Sequence, residues 1–420
     1  MIQNKDILEL KRRFKKEACT FTRMSGCYVD ANKNKVVSLN ENFLNLEDEE
    51  FYKYLEIAKK TLSGTIGNNL LQLKFNQEEE EHGGKQHYLL GLRESGLKNP
   101  DLLEHLYDLI IENYNYVGNY LILVFHDAYD VITKTNDDLK IDESEEVYQY
   151  LLCAICPVNL SKPGLGYRED ENRIGARIQD WVVGVPDVGF LFPSFDERSA
   201  DIHSLTYYVR DAKDSHPDFI EALGCGAKRT ATEEQQTFHA MVKRTIAPII
   251  EKSDDVMIEI QEKLSELVEE NEAAQEDLVL GEPEIFTLTP EIIKEVLTEV
   301  EIPDETVSLI QEHFQEEFQD APPVVKNLVN EKEIEKNNKE KKEQKLLEEV
   351  ASLKKELKEK NDNPVTSVSE EEKDYSDIFV RMKPEKANQV KAQTIDGQKY
   401  LLIPVEEEDQ INLNGVDTTI

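Results

Sequence analysis

Apolar residues return every three or four positions in several stretches of the first 250 residues. This spacing is typical of helices with one buried face. In the segment 48–63, Phe51, Leu55 and Ala58 lie on one side of the predicted helix. The same pattern predicts the other helices of this part of the chain, at 5–17, 86–94, 101–114, 217–223 and 232–248.

Shorter apolar runs between these helices predict β-strands. The run 120–125 is continuously apolar, as in a central strand buried on both faces. Pro186-Asp187 separates the runs 181–185 and 188–192, and therefore predicts a hairpin. The later strands follow one another without a long helical pattern between them, which favours an α+β fold, with helices packed on an antiparallel or mixed sheet. The other predicted strands are 20–29, 35–39, 69–75, 147–158 and 202–210.

The pattern changes after the α+β body, which we place at 1–250. An acidic helical segment is predicted at 251–323, and it ends in a two-helix unit. One long charged helix is predicted at 324–360. Part of this helix has the apolar spacing of a coiled coil, but over less than two heptads. It could therefore form a homo-oligomer or remain a single solvated helix. The residues with this spacing are Leu346, Val350, Leu353 and Leu357.

The last part of the chain has a different character. The segment 361–374 contains Pro364, serines and an acidic run, so it reads as a flexible linker. A small β module is predicted at 375–420, with a hairpin turn at Asp396-Gly397. One hairpin in so few residues rarely folds alone, so we expect the module to dock on a partner or on the body.

Charge limits the classes of partner. The chain has 420 residues and a formal charge of −37. The segment 251–420 holds 45 acidic and 20 basic residues, so it carries 25 of those 37 charges. This acidity disfavours binding of DNA or RNA by the extension. The body has two basic segments, at 11–16 and 168–177, so binding of nucleic acid by the body is not excluded. The segment 11–16 could also pair with the acidic extension or simply be solvated.

Cysteine use and hydropathy predict the compartment. Five cysteines are few and odd in number, which fits reduced thiols in the cytoplasm. Cys153 and Cys156 have Cys-x-x-Cys spacing, but they lie inside an apolar strand and lack two further zinc ligands, so we interpret them as buried thiols. No secretory h-region or bilayer-spanning run is evident, so no membrane association is expected.

Three polar clusters are candidate sites, and the first two lie at 126–130 and 167–177. His126, Asp127 and Asp130 follow the apolar run 120–125 and could be acid–base groups or metal ligands; the alternative is a polar cap at the end of a strand. The second cluster could hold a phosphate or carboxylate through its arginines, or it could be a surface loop whose charges pair internally. Its candidates are Arg168, Glu171, Arg173 and Arg177.

A third cluster lies at 196–203. Asp196 and Arg198 follow Pro186-Asp187, and this order faintly resembles the Pro-Asp and Asp/Glu-x-Lys residues of metal-dependent nucleases. Arginine stands here where those enzymes have lysine. The sequence has no phosphate-binding loop, zinc-binding His-Glu-x-x-His helix or nucleophile elbow, so it disfavours an ATPase, a zincin and an α/β-hydrolase.

Several stretches of the sequence resemble those of a known protein family. They are 10–20, 62–69, 125–130, Cys156-Pro-Val, 161–173, 189–193, Ile395-Asp-Gly and 405–416. In these stretches the chain resembles the bacterial family called domain of unknown function 4317. The resemblance covers most of the body and the last 45 residues. It implies no reaction, cofactor or site residue.

Two functional hypotheses follow. The first is a non-enzymatic intracellular protein that binds a ligand or acts as an adaptor for a protein partner. The second is a metal-dependent enzyme, of phosphoesterase or nuclease type, that acts on a phosphorylated substrate through the three polar clusters. The sequence identifies no cofactor and no set of metal ligands. Convergence of the three clusters in one pocket would separate the hypotheses.

Overall fold

The computed structural model describes most of the chain: residues 2–134, 140–250, 252–276, 285–319, 321–361, 391–395, 398–402, 411–413 and 416–418. Its contacts define two compact units, Met1–Lys345 and Leu346–Ile420. The helices are α1 (Asn4–Arg13), α2 (Asp48–Thr61), α3 (Lys85–Glu94), α4 (Pro100–Asn113), α5 (Pro217–Ala222), α6 (Ala231–Ile246), α7 (Ser253–Glu276), α8 (Pro290–Glu299), α9 (Asp304–Phe318), α10 (Val325–Leu328) and α11 (Glu331–Asn361).

An eight-stranded sheet forms the centre of the first unit. Its strands run in the order β2-β1-β4-β5-β9-β12-β3, with β8 also paired to β5, and all the pairs are antiparallel. The α+β prediction is therefore confirmed, with the antiparallel form of the sheet. These strands are β1 (Phe21–Val29), β2 (Lys35–Glu41), β3 (Leu70–Lys74), β4 (Asn119–Lys134), β5 (Lys140–Leu160), β8 (Trp181–Val183), β9 (Val188–Phe192) and β12 (Ser204–Val209).

The remaining strands form separate two-stranded hairpins. Within the first unit they are β6 (Leu165–Arg168) with β7 (Arg173–Ala176), and β10 (Ser194–Asp196) with β11 (Ser199–Asp201). In the second unit they are β13 (Lys391–Ile395) with β14 (Gln398–Leu402), and β15 (Ile411–Leu413) with β16 (Val416–Thr418). The first of these last two hairpins is the predicted one. The predicted linker from 362 onward, and the turn at Asp396-Gly397, lie outside the described residues.

Helices cover both faces of the central sheet because its inner strands are apolar on both sides. One core packs α3, α4 and α5 against residues such as Ile122 and Val124 of β4. The other core packs α1 and α2 against their neighbours Leu123 and Phe125. Alternation along a strand sends successive side chains into opposite cores. Helix α2 comes close to the sheet at Gly189, where a Cβ would collide with the carbonyl of Cys153 and the side chain of Thr61.

A third core is formed mainly by helices. Helix α6 packs its apolar face on α7, α9 and α10, and α8 packs on α9 as the predicted two-helix unit. Thr289 caps α8, since its side chain accepts a hydrogen bond from the amide of Ile292. The boundaries that we placed at residues 250 and 323 stay predictions.

Two local predictions are wrong. Residues 181–192 do not form a hairpin around Pro186-Asp187, because β8 and β9 both pair with the same side of β5, at Val158–Leu160 and Leu151–Ile155. The strand predicted at 120–125 does not end there: β4 continues to Lys134. The long charged helix predicted at 324–360 is divided, because α10 ends at Leu328 and α11 begins at Glu331. The seam residues Leu346 and Val350 of α11 are 61% and 47% exposed.

Candidate functional site

Strand β4 carries two of the predicted site residues on opposite faces of the sheet. His126 lies on the side of α3 and α4, near Arg93, and Asp127 lies on the side of α1, near Arg13. The sequence predicted that both residues follow the end of a strand, as acid–base groups, metal ligands or a polar cap. That arrangement is wrong, because the strand continues through them and adjacent side chains point in opposite directions. The two side chains cannot act as a catalytic pair.

His126 is a buried histidine. Its Nδ1 lies 2.6 Å from the hydroxyl of Thr22 on the neighbouring strand. Burial lowers its pKa, and nearby Arg93 lowers it further, while the charge of Asp127 acts in the opposite direction. Only 7% of the residue is exposed. It is therefore out of reach of a substrate in solution.

Asp127 is a buried carboxylate whose oxygens are already occupied. It accepts hydrogen bonds from the hydroxyls of Thr20 (2.6 Å) and Tyr150 (2.7 Å), and from the amide of Ala128 (2.9 Å). The guanidinium of Arg13 lies 3.8 Å away. All these donors come from the fold itself, and the contact with Arg13, the last residue of α1, anchors the end of that helix to the sheet.

Helix α1 connects the first polar cluster to the third. Arg13, beside Asp127, lies 3.7 Å above the ring of Tyr129. The Tyr129 hydroxyl donates to Glu9 at 2.7 Å, and Glu9 pairs with Arg198 at 3.3 Å. Burial, and next the hydrogen bond to Glu9, raise the pKa of Tyr129 to about 12. Each of the two arginines of this network lies beside a carboxylate, so we interpret it as structural.

The remaining residues of the first and third clusters lie at the edges of this network. Asp196 accepts a hydrogen bond from the side-chain amide of Gln72 at 3.3 Å. Glu197 and Arg198 have positive φ values of 49° and 64° because they form the two-residue turn between β10 and β11. Asp130 is exposed on β4, opposite Val147 of β5.

The second cluster lies apart, on the hairpin of β6 and β7. Glu171 in its turn pairs with both Arg168, at 3.3 Å, and Arg173. Arg168 also donates to the carbonyl of Ala176 at 2.9 Å. The arginine candidates therefore use much of their hydrogen-bonding capacity inside the hairpin. The fourth candidate, Arg177, comes directly after β7 and is exposed. Its backbone N–H donates a hydrogen bond to the carbonyl oxygen of Gly164.

Asp187 belongs to a further network, which was not evident from the sequence. It accepts a hydrogen bond from the hydroxyl of Tyr114 at 2.7 Å and pairs with Arg210 at 2.6 Å, with His216 3.8 Å away. Burial, and next the Asp187 charge, raise the pKa of Tyr114. Asp187 thus has partners different from those of Asp196, which does not fit the nuclease-like pairing of these two carboxylates on one metal.

The three predicted clusters therefore do not share a pocket. The first is divided between the faces of the sheet, part of it joins the third through α1, and the second stays on its hairpin. Within the described residues, no three histidine, cysteine, aspartate or glutamate side chains are grouped to hold a metal ion. All five cysteines are buried free thiols, and burial raises the pKa of Cys156 to about 12.

The basic segment at 11–16 is divided too. Lys16 pairs with Asp48, and Arg13 faces Asp127, so both are neutralised. Lys11 instead points toward α2 and donates to the hydroxyl of Ser63 at 2.8 Å. It lines a groove with three lysines of α2, and this groove was not evident from the sequence.

Apolar side chains are exposed around β8 and the hairpin of β6 and β7, and we call this region the β8 surface. On β8, Trp181, Val182 and Val183 are 55%, 52% and 40% exposed. Strand β8 pairs only with β5 among the described strands, so its other edge is open. Further exposed apolar side chains lie in the segments that flank β8 along the chain, namely Leu160, Leu165, Tyr167, Ile174, Ile178 and Val185.

Comparison with protein families identifies the chain. The model of the family described as domain of unknown function (DUF4317) matches residues 2–416. The chain belongs to this family. The DUF4317 match extends through the helical segment and α11, beyond the stretches that carried the resemblance in the sequence. A search of curated proteins gave no match. In the described part of this DUF4317 chain, no helix is long and apolar enough to cross a membrane.

Proposed function

We propose that this DUF4317 chain is a non-enzymatic protein of the cytoplasm that recruits a protein partner through the β8 surface. The observation that carries the proposal is the exposure of apolar side chains on an open sheet edge. Contiguous exposed apolar patches on soluble proteins often mark interaction sites. Free, buried thiols at all five cysteines support a reducing compartment.

The mode of binding follows from the open edge of β8. An edge strand presents backbone N–H and C=O groups that an extended segment of a partner can pair with. Natural edge strands are usually protected by charge or proline, whereas β8 consists of a tryptophan and two valines. Alternate side chains of the added strand would contact Trp181 and Val183 on one face and Val182 on the other.

The enzymatic alternative has less support. It requires His126, the carboxylates and the arginines to meet a substrate together. His126 and Asp127 lie on opposite sides of a sheet, and Arg168 and Arg173 pair with Glu171. We therefore favour binding over phosphoester hydrolysis.

Site-specific photocrosslinking in cells tests the proposal. A benzophenone amino acid replaces Val182 in the full chain, and crosslinked proteins are identified by mass spectrometry. The matched control carries the same group at Val37, a valine that is 55% exposed on β2, at an edge of the same sheet. We expect a partner that crosslinks at position 182 and not at 37. Identical products at both positions, or none at 182, would contradict the proposal.

A binding measurement then tests the mode. The identified partner is titrated with the wild-type chain and with Val182→Asp, which places a charge on the open edge. We expect affinity to fall at least about tenfold, or ~1.4 kcal/mol, because an apolar contact becomes a buried charge. Val37→Asp should leave affinity unchanged. Equal affinities of all three proteins would exclude pairing at β8.

A further inference from the structure

A groove runs between α2 and the segment that follows β8. Its volume is about 670 Å³, which is in the range of pockets for small organic ligands. A second cavity of about 600 Å³ continues it, and the two share Lys53, Ile57 and Val183. The groove is lined by Lys11 of α1, by residues of α2 and its C-terminal end, and by residues 183–186.

One wall of the groove is basic. Four lysines, Lys11, Lys53, Lys59 and Lys60, line it together with the single carboxylate Glu56. Lys53 pairs with Glu56 at 3.2 Å, whereas no described carboxylate lies within ion-pair distance of the other three lysines. Burial, and next the charges of Lys60 and Lys59, lower the pKa of Lys11. Such a group of like charges is conspicuous in a chain whose net charge is −37.

The opposite wall is apolar. Val183 and Val185, which are 40% and 47% exposed, line the side opposite α2 together with Pro186, and Ile57 adds an apolar group from α2 itself. Tyr52, Tyr54 and Leu121 continue the apolar lining into the second cavity, which is also lined by the carboxylates Glu49 and Glu50. An apolar wall gives no advantage to a simple inorganic anion, because such an ion cannot bury apolar surface.

We infer that this groove binds a small anionic ligand with an apolar body, namely a carboxylate or phosphate monoester that carries a hydrocarbon chain. The acidic head lies among Lys11, Lys59 and Lys60, where it relieves the repulsion between the ammonium groups. The hydrocarbon part lies along Val183, Val185 and Ile57. The inference does not depend on a protein partner at β8, although Val183 contributes to both surfaces.

Calorimetric titration of the purified full chain tests the inference. The probes are decanoate and decyl phosphate below their micellar concentrations, with inorganic phosphate, decanol and decyltrimethylammonium as comparisons. We expect saturable binding at one site for an anionic probe with a decyl chain, and much weaker binding of the three comparisons. The stronger of the two anionic probes identifies the preferred head group. Absence of saturable binding of both, or equally strong binding of inorganic phosphate, would overturn the inference.

Variants locate the site. Lys59→Gln with Lys60→Gln should weaken binding at least about threefold, since each partly exposed ion pair contributes modestly. The control with the same loss of charge is Lys332→Gln with Lys339→Gln, two exposed lysines of α11. Equal weakening by both pairs would show a non-specific charge effect and would overturn the inference.

A second pair of variants tests the apolar wall. Val185→Glu should abolish binding of the anionic probes, because it places a carboxylate beside the ligand. Val117→Glu, at a side chain that is 99% exposed, is its control and should bind like wild type. Unchanged circular dichroism of each variant shows that it is folded. Normal binding by folded Val185→Glu would overturn the placement of the hydrocarbon chain.

Discussion

Replacement of Asp127 by alanine should destabilise the first unit strongly. The substitution removes the acceptor of three hydrogen bonds and the anionic partner of Arg13. The hydroxyl of Tyr150, which is fully buried, then loses its partner, at a cost of ~1–3 kcal/mol. The largely buried guanidinium of Arg13 then has lost its carboxylate partner but keeps its charge. Breaking a buried ion pair in this way costs ~3–5 kcal/mol in total. We expect a loss near the top of this range.

Urea denaturation followed by circular dichroism measures this loss. Asp127→Asn should cost less, about 1–2 kcal/mol, because the amide oxygen still accepts from Thr20 or Ala128. Glu112→Ala, at an exposed carboxylate of α4, is the control and should stay within about 0.5 kcal/mol of wild type. A change below 1 kcal/mol for Asp127→Ala would refute the view that this carboxylate anchors α1.

Three further predictions concern other parts of the sheet. Phe125→Ala should lower the free energy of unfolding by about 3–5 kcal/mol, because it opens a cavity among stacked aromatic rings; a loss under 1 kcal/mol in urea denaturation would contradict this. Because the pKa of His126 is lowered in the folded state, this residue binds more protons near pH 6 in the unfolded chain than in the folded one. The contribution of neutral His126 to stability is therefore present at pH 7.5 and is lost as the pH falls. His126→Gln should therefore flatten the pH dependence of the unfolding free energy between pH 7.5 and 5.5; an unchanged slope would argue against it. Cys153 and Cys156 should not react with a thiol reagent at pH 8 until the chain unfolds, because both are fully buried and burial raises their pKa values; rapid labelling of the native protein would contradict their placement.

Local patterns in the sequence predicted the helices and strands well. They predicted poorly which distant strands pair with each other. The run 120–125 was identified because a buried strand is apolar at every position. The end of that strand was misplaced, because His126 and Asp127 are polar and their partners, Thr22 and Tyr150, come from other strands. The hairpin at Pro186-Asp187 was wrong for a similar reason, since β5 accepts both flanking strands.

The candidate sites illustrate the same limit. Pairing of Arg168 and Arg173 with Glu171 was one of two alternatives in the sequence, because these residues are close along the chain. The groove was missed because Lys11 and Lys59 are far apart in sequence and meet only through the packing of α1 and α2. Lysines at the end of a helix are common, and only their juxtaposition with an apolar wall makes them notable.

The order of strands in the sheet affects how the chain folds while the ribosome is still synthesising it. Strand β3 is an edge strand whose partner is β12, and Lys74 pairs with Ser204 about 130 residues later. At ~5–20 residues per second, β3 waits roughly 7–26 seconds for that partner to be translated. During this interval its leucines Leu70, Leu71 and Leu73, which are buried in the finished sheet, have no strand to cover them. The nascent chain should therefore be most exposed to aggregation, and most dependent on chaperones, before residue 209 has left the ribosome.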